Sequence, residues 1–104
     1  MKDSEKEISR VCDTIKQILL QKNMAYGDSA LNPCRIFSSA STVEQILVRI
    51  DDKLNRVKQG SGFLGGGEDV ITDLIGYLVL LRIAIDKDVQ KNYNQPNEIR
   101  ELLD

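Results

Sequence analysis

The chain has 104 residues, enough for one domain with a modest core and close to the size at which a second subunit often supplies part of that core. Its 14 basic and 16 acidic residues are interspersed and leave a net charge of -2, so there is no bulk attraction for duplex nucleic acid or an anionic membrane. Trp and His are absent and the aromatics amount to three Tyr and two Phe, which points to an aliphatic core in an all-α fold and excludes histidine-based nucleophilic or zinc chemistry.

The first stretch, MKDSEKEIS, has no apolar segment of the signal-peptide kind, and no uncharged apolar run approaches about 18 residues, so an unexported, soluble protein is expected. Ser4 followed by Glu7 is a capping box. Ile8, Val11, Cys12, Ile15, Ile18 and Leu19 then recur at helical spacing and predict a first helix over residues 4–23. Cys12 falls on that apolar face and Cys34 has no metal-type spacing to it, which predicts a reduced, packed thiol at Cys12. The segment NMAYGDSALNPCRIFSSA is too long and too rich in turn residues for a simple hairpin connection and is a natural place for binding residues.

Ser41 and Glu44 repeat the capping-box signature. Val43, Ile46, Leu47, Ile50, Leu54 and Val57 form one stripe, so a second helix runs from there to near Gly60. GSGFLGGG is a glycine-rich connection without a Walker pattern. A third helix is predicted over residues 68–91, with Glu68 and Asp69 against the positive end of its dipole, and Pro96 is placed to open a short terminal helix ending in IRELLD. The expected architecture is a single all-α domain over 1–104, an antiparallel bundle of three main helices plus the short C-terminal one.

Asp69, Asp73 and Gly76 share one narrow sector of the third helix at about 100° per residue, with Thr72 beside them. On the second helix the same arithmetic puts Glu44 and Asp51 on one flank of the apolar stripe and turns Asp52 to solvent. If those flanks meet, three or four carboxylates converge, and Mg²⁺ or Mn²⁺ would suit their all-oxygen set. The plainer alternative is that Glu68 and Asp69 cap the helix, Glu44 closes its capping box and Asp51 pairs with a nearby cation; Asp73 fits this least well, being a full turn inside an apolar helix. Lys22 and Arg35 bracket the loop while Arg49, Lys53 and Arg56 run along the second helix, where a phosphate could be held or where they form a solvated, paired face. Tyr26 and Phe37 could stack a base or plug a core edge, and Gly27 with Asp28 would let the loop backbone approach a ligand.

Four motifs, KNMAYGDS from Lys22, RIF from Arg35, RIDDKLNRV from Arg49 and GEDVITDLIGYLVLL from Gly67, together resemble the phage-associated nucleotide modification associated domain 1 family over residues 20–85. That family in turn resembles the all-α nucleoside triphosphate pyrophosphatases of the MazG and dimeric dUTPase type. The resemblance implies that Glu44 and Asp51, with Glu68 or Asp69 and Asp73, hold Mg²⁺ against nucleotide phosphates. It also implies a cytoplasmic protein of an infected or host bacterial cell. The chain departs from the family pattern: the second helix lacks a doubled Glu followed by another Glu, and Asp73 follows Asp69 by four residues instead of three. Three readings follow: a Mg²⁺-dependent nucleotide pyrophosphohydrolase, a non-catalytic protein that sequesters a nucleotide-derived immune signal, and a helical interaction module without a ligand. A homo-oligomer, a dimer or a dimer of dimers, is expected because the third helix is apolar around nearly its whole circumference.

Overall fold

The computed structural model describes residues 2–64 and 69–93. Three helices account for most of them: α1 (Asp3–Ala25), α2 (Thr42–Arg56) and α3 (Val70–Tyr93), with no strand among the described residues. The all-α class is as the sequence predicts, and α1 and α3 each extend two residues further at their C-terminal ends than predicted. Glu68 and the helix expected after Pro96 lie outside the described residues.

The two capping boxes have different fates. Ser41 keeps an extended backbone and its Oγ accepts the Glu44 N–H at 3.1 Å, so it caps α2 as expected. Ser4 lies inside α1, which starts one residue earlier from Lys2 with no side-chain cap; Glu7 turns instead to Arg10, 2.8 Å away. Asp3 and Glu5 in the first turn offset the exposed N–H groups electrostatically, which removes the need for a cap at Ser4. At its far end α2 loosens into one wide turn, Val57–Ser61, where Gly60 takes a left-handed conformation (φ 96°) that L side chains rarely adopt. The following Phe63 carbonyl accepts the Val70 N–H at 2.9 Å and so ties the connection to the start of α3.

α3 packs chiefly against α2 and more sparsely against α1. The buried apolar side chains among the described residues, Ile46, Val70 and Ala84, all belong to α2 and α3, and α1 buries none completely. α1 meets α3 at Gly76, where a Cβ would lie 2.8 Å from Leu19 Cδ2; the absent side chain is what admits the leucine. A trough runs between the helices.

Candidate functional site: a trough with a basic end

The trough has a volume of about 950 Å³, with α3 as its floor and α1 and α2 as its walls. Its apolar stretch is contributed by Ile15, Leu19, Ile46, Val79, Leu80 and Ile83. The other end is polar, with Lys22 and Tyr26 from α1 and its following turn, Arg49 and Lys53 from α2, and Thr72 and Asp73 from α3. A hydrophobic body with charge gathered at one end matches the general form of a small-molecule site.

Helical periodicity explains which α2 residues reach the trough. Ile46, Arg49 and Lys53 follow at three- and four-residue steps and share one face, whereas Glu44 and Asp51 lie roughly 150° from Ile46 at about 100° per residue. Both acids are exposed, and neither is among the described residues lining the trough. The apolar stripe of α2 has two flanks, and α1 takes its place beside the one carrying Arg49 and Lys53.

Asp73 is the centre of the polar end. Its Oδ1 lies 2.9 Å from Lys22 Nζ and its Oδ2 lies 3.0 Å from Lys53 Nζ, so one carboxylate on α3 joins α1 to α2. The Asp73 side chain is 17% exposed and that of Lys53 14%, whereas Lys22 is half-exposed, so the clasp is covered on the α2 side and meets solvent on the α1 side. Burial pushes the Asp73 carboxyl up, but hydrogen bonds from Lys22 and Lys53, reinforced by their charges, outweigh it and hold the group below its ordinary value. The carboxylate inside an apolar helix is thus accounted for by two lysines brought from other helices.

Asp69 has a different task. It caps α3, its Oδ1 accepting the Thr72 N–H at 3.0 Å and its Oδ2 the Thr72 hydroxyl at 2.6 Å. Those two bonds lower its pKa against the opposing effects of desolvation and of the Asp73 charge. The four described acids that the resemblance implies as metal ligands are consequently dispersed: Asp69 at its own helix end, Asp73 between lysines, Glu44 and Asp51 on the far flank of α2. No group of three or more acidic or cysteine side chains placed to hold a metal ion occurs among the described residues. Glu68, the fifth acid that the resemblance implies, lies outside the described residues.

The predicted phosphate and base contacts divide in the same way. Lys22, Tyr26, Arg49 and Lys53 line the trough; Gly27, Asp28, Arg35, Phe37 and Arg56 are not among the residues that line it. Gly27 and Asp28, both left-handed (φ 63° and 62°), shape the turn after α1. Arg35 donates to the Ala40 carbonyl and to Thr42 Oγ1 and so fastens the loop to the start of α2, while Phe37 is fully exposed. Cys12, expected to be packed, is exposed and unbonded on the trough wall, because the N-terminal half of α1 stands clear of its neighbours.

Sequence reasoning missed Lys16, Asn23 and Tyr77, which also line the trough. The first two were detectable: Cys12, Lys16, Leu19, Asn23 and Tyr26 step by four and three along α1, and the polar members interrupt an otherwise apolar helix face. No described helix is long and apolar enough to cross a membrane. Comparison with protein-family models, with curated proteins and with solved structures gives no match.

Proposed function

We propose that the chain binds a phosphorylated nucleotide in the trough and does not cleave it. The observation that carries this reading is the convergence of Lys22, Arg49 and Lys53 from two helices on one end of a largely apolar trough. Lys22, Arg49 and Lys53 put cationic groups at this end of the trough that suit a phosphate, and Tyr26 at the same end offers a ring on which a base can stack. The apolar stretch beyond gives the rest of the ligand a surface that excludes water.

Binding is favoured over hydrolysis by the dispersal of the acids. With both Asp73 oxygens held by lysines and Asp69 capping α3, the described residues offer no assembled ligand set for the Mg²⁺ that the pyrophosphatase resemblance implies. A protein of the bacterial cytoplasm that holds a nucleotide-derived signal without turning it over would act by sequestration, an analogy drawn from the phage-type resemblance. Incubation with a panel of linear and cyclic nucleotides, with and without Mg²⁺, tests the proposal. Calorimetric binding with unchanged ligand, lost in Arg49→Ala, is the expected result. Mg²⁺-dependent product formation would establish the pyrophosphohydrolase instead, and neither heat nor product would leave the helical interaction module.

A further inference from the structure

Asp73 is paired twice, and the two pairings are not alike. Its Oδ2 meets Lys53 Nζ at 3.0 Å on the covered side of the clasp, and its Oδ1 meets Lys22 Nζ at 2.9 Å where the lysine is half-exposed. One cation keeps a covered carboxylate from standing uncompensated, and Lys53 supplies it from the α2 side. Lys22 can therefore leave Asp73 without stranding the charge. Its ammonium sits on a flexible four-carbon stem in the last turn of α1, whereas Asp73 is held by a short side chain in the first turn of α3.

A second cation waits on the same part of the trough. The Arg49 side chain is exposed there and makes no ion pair or hydrogen bond with another described residue. A phosphate group offers three acceptor oxygens where a carboxylate offers two, so it can accept from Lys22 and still engage the Arg49 guanidinium. Lys22 thus has two anions to choose between, one fixed in the fold and one that a ligand brings.

We propose that Asp73 is the resident counter-anion of this site: a ligand phosphate takes Lys22 from it, Lys53 stays, and the competition sets how tightly the trough holds anions. The proposal rests on the reading of the trough as a phosphate site and adds the residue that opposes the ligand. Before a ligand arrives, the clasp keeps Lys22 at the polar end, so less ordering remains to be done on binding. An anion is retained only when its contacts outweigh the carboxylate that it displaces and the repulsion of the charge that stays behind.

NMR titration of the full chain with small aromatic probes tests the exchange. Phenyl phosphate is a dianion at about pH 8, methyl phenyl phosphate a monoanion and phenol neutral. Asp73→Asn keeps the shape of the side chain and removes its charge; it should bind the dianion about tenfold and the monoanion about threefold more tightly than the wild type, with phenol unchanged. The substitution breaks the clasp, so a gain that grows with probe charge cannot come from a firmer fold. In the wild type, the Asp73 carboxyl carbon should shift on saturation with phenyl phosphate and stay in place with phenol, which decides the matter if the variant does not fold. An unmoved carboxyl resonance, or a variant that binds the dianion no better than the wild type, would overturn the exchange and leave the phosphate site standing. A wild type that binds phenyl phosphate no better than phenol would remove both.

Discussion

α1 and the α2/α3 pair are of comparable helical quality in sequence, yet they are held by different forces. The pair is joined by buried side chains, Ile46 and Ala84 together with Val70 at the head of α3. α1 buries no residue completely and is attached by one close crossing at Leu19 and Gly76 and by the charged clasp from Lys22 to Asp73. An apolar core resists acid and salt and fails by cavity formation, whereas a polar clasp responds to protonation and leaves its helix able to part from the rest. The difference predicts that α1, the wall of the trough that carries Lys22 and Tyr26, opens before the α2/α3 pair does.

Four measurements break or sharpen that contrast, in descending order of effect. Ile46→Ala removes a side chain that is 2% exposed and should cost about 2 to 5 kcal/mol in chemical denaturation, because the α2/α3 core has few other buried members. A loss below about 1 kcal/mol would mean that the core is shared much more widely.

Gly76→Val sets a branched side chain against Leu19 and should cost about 1 to 3 kcal/mol. The distinguishing readout is hydrogen exchange: α1 amides should lose protection while those in the middle of α3 keep it. Uniform loss over all three helices would show that α1 is not an independently detachable element.

Asp73→Asn breaks the clasp and should cost about 1 to 2 kcal/mol near neutral pH. The folded-state pKa of Asp73 is depressed, so its contribution is fully present above the unfolded value of about 3.9 and is lost as the pH falls through the lower folded value. The stability gap between wild type and variant should therefore be flat above about pH 5 and close below about pH 4. A gap that persists unchanged to pH 2.5 would contradict the ionic origin of the clasp.

The smallest effect compares the two capping boxes. Ser41→Ala should lose about 1 kcal/mol, since Ser41 Oγ accepts the Glu44 N–H, whereas Ser4→Ala should stay within about 0.5 kcal/mol. Equal losses would indicate that Ser4 caps α1 in solution after all.

Sequence by itself determined the local events. Stripes at 3.6-residue spacing marked the helices, Ser41 marked the start of α2, Asp69 was rightly set against the positive end of the α3 dipole, and Gly60 marked the end of α2's regular path. These follow from backbone hydrogen bonding and side-chain periodicity within a few residues, which is why they could be read without the fold. Which flank of α2 would meet the rest of the chain could not be read in this way. Glu44 with Asp51 and Arg49 with Lys53 border the same apolar stripe, and only the docking of α1, admitted by the bare Cα of Gly76, chose the basic flank for the trough. The same docking brought Lys22 across 51 residues of chain to Asp73. It turned an acid that periodicity marked as anomalous into the anchor of three helices, because the partners of a covered charge are set by tertiary geometry and not by neighbours in sequence.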